Sequence, residues 1–187
     1  MFSFREVEIA DAEQIMRWRQ SHSVNKYMET SLANNIDEQK AWLASCFQRP
    51  NYYHWIVQHG HKDIGLVNFT NWDPENKTTE WGFYIGEATT RGLGGFVPPF
   101  LYNFVFNKLD VETINSKVFY NNLNVIRLHL AQGHYFNPSM DSVTNKNGED
   151  ILVICLSLAK WTFEGSSFAR LKADMPTTRW MSSPFKE

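Results

Sequence analysis

The stretch Thr78–Leu109, TTEWGFYIGEATTRGLGGFVPPFLYNFVFNKL, decides how the chain is read. Thr78–Ile85 reads as a strand, Arg91-Gly92-Leu93-Gly94-Gly95 as a glycine-rich turn, and Phe96–Leu109 as an apolar helix. Such a turn leaves backbone N–H groups bare where a helix begins, and the helix dipole adds partial positive charge there. The place therefore suits a phosphate or pyrophosphate. Glycines also let a ligand approach the backbone closely. Pro98 and Pro99 fit the first helical turn, whose N–H groups have no intrahelical partner. Helices also start this way with no ligand, so the turn alone leaves anion binding open.

Upstream, Tyr53–His59 and Ile64–Thr70 read as strands joined by a tight turn at Gly60. Asn71–Lys77 is a second turn, which makes Thr78–Ile85 the third strand of a meander. Nearer the start, Phe2–Val7 alternates like a strand, and Asp11 is placed to cap a helix through Ile15, Met16 and Trp18. After the loop Ser31–Asn35, a second helix begins at Asp37-Glu38-Gln39 and carries Trp42, Leu43, Cys46 and Phe47 along one face. Downstream, Glu112–Phe119 is a strand, followed by a helix from Asn122 to Gln132 with Leu123, Ile126 and Leu130 spaced to face the core. Gly133 suits a helix C-terminus, His134–Met140 a strand, Asn147-Gly148 a hairpin turn, and Ile151–Leu158 a buried strand. The order predicts a mixed α/β sheet with helices on its faces. One domain over residues 1–163 is expected, with 164–187 as a polar tail that is either loose or wrapped on the domain.

The 187 residues can bury a sound core, and seven Trp, seven Tyr and fourteen Phe furnish it or an aromatic-lined pocket. A net charge of −2 with dispersed signs argues against nucleic acid as a partner. Cys46 and Cys155 form no disulfide framework, and no apolar run is long enough to span a bilayer. A cytoplasmic protein acting off the membrane, monomer or homodimer, is the expectation. No ligand cluster surrounds His59 and His61, so no metal is expected.

This order and these motifs resemble the GNAT superfamily of acyl-CoA-dependent N-acyltransferases. That family's pyrophosphate loop, Arg/Gln-x-x-Gly-x-Gly/Ala, is met here by Arg91 and Gly94, with Phe96 in place of the last small residue. A second motif, Asn-x-x-Ala-x-x-Leu-Tyr-x-x-x-Gly-Phe, is matched by Asn122, Leu128 and Gly133, with Val125 and His129 as departures. The resemblance implies a GNAT-like, mostly antiparallel central sheet flanked by helices, and acetyl-CoA as co-substrate. Trp18-Arg19 with Val24 and Tyr27-Met28, then Asn34–Trp42 with Glu38-Gln39, look like the branch that holds ribosomal-protein alanine and nucleotide-amino-sugar acetyltransferases. Trp18-Arg19, the meander Ile64–Asn71 and Trp81-Gly82-Phe83-Tyr84 give a closer match inside that branch. Within it the pseudaminic acid pathway enzymes are most similar, which implies a UDP-linked 4-amino-4,6-dideoxy sugar as acceptor.

The resemblance then assigns roles. Arg91, Gly92, Leu93, Gly94, Gly95 and Phe96 would hold the cofactor pyrophosphate, and Asn122 its arm or merely a helix start. A backbone N–H from Phe83 to Ile85 would polarise the thioester carbonyl, a contribution of about 10²–10³ in rate. Glu80 is the first candidate for general base, against a plain exposed carboxylate, with His54 in reserve. His129 stands where the family often has its acidic tyrosine, against a role as a helix-face hydrogen-bonding group. Tyr120 and Tyr135 lie nearby, and Tyr84 is a further catalytic candidate. Arg19 and Lys26 could meet a diphosphate, while Tyr27, Trp81 and Tyr84 line a sugar or base pocket. The rivals are acetylation of a protein N-terminus and a non-catalytic acyl-CoA-binding module. A dinucleotide-binding fold is disfavoured because its glycine turn follows the first strand of a parallel unit.

Overall fold

The structure, a computed structural model, describes residues 1–178. Strand β1 (Phe2–Glu6) leads through a short 3₁₀ turn into helix α1 (Ala12–Gln20), and the one-turn helix α2 (His22–Asn25) follows. Helix α3 (Ile36–Cys46) precedes the meander β2 (Tyr53–His59), β3 (Lys62–Asp73) and β4 (Thr78–Ile85). A nine-residue 3₁₀ segment, Ala88–Phe96, joins β4 to helix α4 (Pro98–Lys108). Strand β5 (Thr113–Phe119), helix α5 (Leu123–Ala131), strands β6 (Tyr135–Phe136), β7 (Ser142–Lys146) and β8 (Glu149–Ala159), and helix α6 (Lys160–Glu164) complete the chain.

One sheet runs β1-β2-β3-β4-β5-β8-β6, with β7 on the free part of β8. Every pairing is antiparallel except β4 with β5. That parallel pair holds only from Thr78 opposite Thr113 to Trp81 opposite Ser116. Beyond it β4 runs on to Ile85 and β5 to Phe119 without pairing to each other, so the sheet forks. Side chains alternate across β4. Trp81 and Ile85 pack with α4 in the main aromatic core, and Tyr84 packs with α1 and α3 in a second core.

The expected turns form where the residues favour them. Gly60 and His61 both take positive φ at the β2–β3 turn, as do Asn147 and Gly148 at the β7–β8 turn, which suits two-residue hairpins. The second turn of the meander is shorter than expected, because β3 continues through Asp73. Asn35 caps α3, its Oδ1 accepting from the amides of Asp37 and Glu38 while its Nδ2 donates to Glu38 Oε1 at 2.7 Å. Asp11 behaves otherwise. Its carboxylate accepts from Arg5 and from the Glu8 amide, so it closes the 3₁₀ turn and caps no amide of α1.

Two further readings change. Helix α5 turns Ile126 and His129 inward, whereas Leu123 is 56% exposed and Leu130 also faces out. Only Tyr135–Phe136 of the stretch 134–140 is strand. The chain after Glu164 lies against the domain as far as it is described. Trp55 Nε1 donates to Pro176 O at 2.7 Å, Thr178 Oγ1 to Glu6 Oε2 at 2.7 Å, and Met175 is buried. The remainder of the tail lies outside the described residues. Among these residues no helix is long and apolar enough to cross a membrane.

Candidate active site

The fork between β4 and β5 opens a cleft of about 500 Å³ that reaches both faces of the sheet. Its backbone edge is β4 from Gly82 to Ile85, whose peptide groups have lost β5 as a partner. One half is walled by Arg91, Gly94 and Gly95 from the glycine turn and by Asn122, Leu128 and His129 around α5. The other half is walled by α1, α3 and the loop after α2, including Arg19, Tyr27, Gln39 and Trp42.

The cofactor half fits an acyl-CoA in part by the route expected. A Cβ on Gly94 would lie 3.3 Å from Ile85 Cγ1, and one on Gly95 3.2 Å from Leu128 Cδ1, so glycine keeps this side open. Asn122 begins α5 but caps nothing with its side chain, which lines the cleft instead. Arg91 supplies a cation, and the free edge of β4 supplies backbone donors. The amide supply differs from expectation. The turn is wound as a 3₁₀ helix, a form whose i→i−3 bonds occupy amides. Pro98 and Pro99 have no N–H, and the Phe100 amide donates to Val97 O. Gly92, Leu93 and Phe96 do not line the cleft, and Phe96 is 58% exposed. Of the residues expected to hold the cofactor, Phe83, Ile85, Arg91, Gly94, Gly95 and Asn122 line the cleft.

The apex of the fork holds a hydrogen-bonded chain that sequence reasoning missed. Trp81 Nε1 donates to Ser116 Oγ, which lies 3.3 Å from His134 Nε2. His134 Nδ1 lies 3.1 Å from the His129 carbonyl, which can only accept, so Nδ1 carries the proton and Ser116 donates to Nε2. Gln132 ties this region to the turn, its Nε2 donating to Gly95 O at 2.9 Å. The Trp81–Ser116 pair stands at the last rung of the parallel ladder, but nothing short of the fold reveals that pairing in the sequence.

The catalytic candidates separate. His129 lines the cleft, stacked on His134 at 4.8 Å and edge-on to Trp81 at 5.4 Å. Its Nδ1 is sealed without a partner, and burial, helped by His134, pushes its pKa down to about 3. Burial thus favours a neutral imidazole at His129, which lines the cleft at the position expected of the general acid. Tyr84 lines the cleft edge-on to Trp18, and burial raises its pKa, so it stays a phenol. Glu80 does not line the cleft. Its Oε1 sits 3.0 Å from Lys117 Nζ, and Lys117 is the member of the pair that lines it. His54 is fully buried among Trp42, Phe47 and Tyr52, with burial lowering its pKa to about 3, so it offers no base to the cleft. Tyr120 and Tyr135 are exposed outside it.

Of the acceptor candidates, Arg19, Tyr27 and Trp81 line the cleft. Arg19 Nη2 donates to Thr30 O and Oγ1, at 2.9 and 3.0 Å. Lys26 does not line it, since its Nζ lies over the Tyr27 ring at 4.6 Å from the centroid. Among the described residues no Asp or Glu lines the cleft, whose cations are Arg19, Arg91 and Lys117. No group of three His, Cys, Asp or Glu is gathered to hold a metal among these residues.

Comparison with known proteins agrees with this architecture. The sequence model of the acetyltransferase (GNAT) domain matches residues 2–134. Acetyltransferase PseH of Campylobacter jejuni serotype O:23/36 is 25% identical over 133 residues, 71% of this chain and 82% of that protein. The spermidine N-acetyltransferase of Vibrio cholerae, solved with CoA and spermine, superposes with a TM-score of 0.79 at 16% identity, covering 87% of this chain and 97% of that one. The aminoglycoside acetyltransferase AAC(6')-Ib with coenzyme A gives 0.70 at 15% identity, covering 88% and 98%. The forked sheet, the glycine turn on the cleft and the family match lead to one conclusion: this chain belongs to the GNAT family and is an acetyl-CoA-dependent N-acetyltransferase.

Proposed function

We propose that the acceptor is a primary amine on a nucleotide-linked amino sugar, the 4-amino group of a UDP-linked 4-amino-4,6-dideoxy sugar. The observation that carries this reading is the charge of the cleft: no carboxylate among its described lining, and Arg19 on the acceptor half. A polyamine or aminoglycoside brings several positive charges, which need carboxylates to replace their hydration. A sugar diphosphate brings one amine and an anion, and Arg19 can pair with the anion. The N-terminal resemblance to the nucleotide-amino-sugar branch supports the same assignment.

Acetyl-CoA, when bound, supplies the activated acetyl group. Arg91, Gly94, Gly95 and Asn122 hold it, and the β4 edge between Gly82 and Ile85 offers amides to the carbonyl oxygen. Arg19, Tyr27 and Trp81 receive the acceptor. The cleft itself prepares the amine, because nearby cations and partial desolvation both disfavour an ammonium ion. The acceptor thus enters neutral, without a carboxylate base in the cleft. Glu80 acts behind Lys117, fixing that cation at the rim. Tyr84, on the cleft wall, keeps its phenolic proton across the physiological range and serves as the proton donor in this reading.

Incubation with acetyl-CoA and the UDP-amino sugar should release CoA and add one acetyl group to the sugar. kcat/KM should rise with pH through the acceptor's own amine pKa and then level off. A failure to acetylate any nucleotide-linked amino sugar, with spermidine turned over instead, would reject the assignment.

A further inference from the structure

The corner of the cleft between α1, α3 and β3 has polar groups that none of the described residues satisfies. Gln39 is 5% exposed, and its Nε2 is sealed without a partner. The Nε of Arg19 is in the same condition. Both residues line the cleft. Across from them Asn68 commits its Nδ2 to Tyr52 Oη at 3.2 Å, which leaves its Oδ1 with no hydrogen bond among the described residues. Trp42 stands three residues beyond Gln39 on the same helix face and meets Tyr52 edge-on at 6.2 Å. Leu66 shares the β3 face with Asn68 and completes an apolar wall.

A buried amide without a partner is costly, and a protein keeps few of them. Here two donors and one acceptor border one flat, partly apolar corner. A phosphoryl oxygen would satisfy the donors but leave Asn68 Oδ1 idle. A carbonyl with an adjacent N–H satisfies both sides. We propose that this corner is a subsite for a planar amide of the acceptor: its oxygen accepts from Gln39 and Arg19, its N–H donates to Asn68 Oδ1, and Trp42, Tyr52 and Leu66 enclose its apolar part. Two parts of the proposed acceptor class can carry that chemistry, an acetamido substituent on the sugar and the imide edge of uracil. The inference takes its substrates from the nucleotide-sugar reading, but amide binding can be measured without it.

The test has a binding arm and a turnover arm. Calorimetry measures N-acetylglucosamine and uridine separately against the wild-type enzyme and Gln39→Leu, a change that keeps the side chain's bulk. Binding of one of them, weakened about tenfold or more in the variant, supports the subsite and identifies its occupant. Neither ligand binding the wild type, or equal binding to both proteins, overturns it. The turnover arm compares UDP-linked amino sugars with an acetamido or a hydroxyl substituent on the wild-type enzyme alone, so a misfolded variant cannot decide the result. A fall in kcat/KM on losing the acetamido group supports an acetamido occupant. No fall, together with no Gln39-dependent uridine binding, overturns the subsite. Amide binding that depends on Gln39 with no sugar acetylated would reject the proposed acceptor and leave the subsite standing.

Discussion

At the residue scale, function depends on which side chains touch the cleft and in which protonation state. Tyr84 keeps its proton, so Tyr84→Phe is expected to lower kcat by about 10²-fold or more while acetyl-CoA affinity is unchanged. Equal loss in both would make it a packing residue. His129 is neutral and stacked, so His129→Gln should affect stability more than the pH profile of turnover; a displaced acidic limb in that profile would restore it as a titrating group. Gly82 is constrained by its neighbour across the sheet, because a Cβ there would stand 3.0 Å from Asn68 Oδ1. Gly82→Ala should raise the acceptor KM by about tenfold through that displacement, with acetyl-CoA binding intact. Steady-state kinetics with each substrate varied in turn separates the two. The lowered pKa of His129 was not legible beforehand, since family position suggests a donor and only the fold packs His134 and Trp81 around the ring.

At the element scale, local signals read well and faces read less well. The meander and both hairpin turns follow from short-range chemistry, and the sequence carries it, whereas Asn35, expected in a loop, caps α3. Helix α5 misleads because its inward positions include a histidine, so a count of apolar residues turns it toward Leu123 and Leu130. Asp11 misleads because Arg5 competes for it, and a charge-assisted pair outweighs a cap. Contacts between distant elements leave no trace in composition or spacing. The strongest such case is the β7–β8 hairpin, whose Lys146 Nζ donates to Asn25 O at 2.6 Å, to Asn25 Oδ1 at 3.2 Å and to Met28 O. These bonds pin the loop that presents Tyr27 and Met28 to the cleft. Lys146→Met should cost about 1–2 kcal/mol, seen as a Tm several degrees lower, and should speed hydrogen exchange at residues 22–32. Unchanged exchange there would remove the hairpin from the wall.

At the scale of the whole molecule, the fork in the sheet is what joins a cofactor half to an acceptor half. The sequence does not reveal it, because the pairing that ends at Trp81 and Ser116 joins segments far apart in the chain, and its electrostatics are read from the lining. The same burial that shapes the site makes the protein acid-sensitive. His54, His129 and His134 are held neutral, with pKa values lowered to about 3, 3 and 4. Each takes a proton in the unfolded chain below about 6.5 but not in the folded one, so stability is full above that pH and falls as pH drops. Each contributes a slope of about 1.4 kcal/mol per pH unit until its folded pKa is reached. Thermal melts between pH 7 and 4.5 should show a steep fall in Tm; a flat curve would mean these rings reach water. In the proposed function, a cleft whose described lining holds no carboxylate selects a nucleotide-linked amine over a polycation. The direct measurement is thiol release from acetyl-CoA with a UDP-linked 4-amino-4,6-dideoxy sugar and, in parallel, with spermidine. The account predicts a much higher kcat/KM for the sugar, and a preference for spermidine would contradict it.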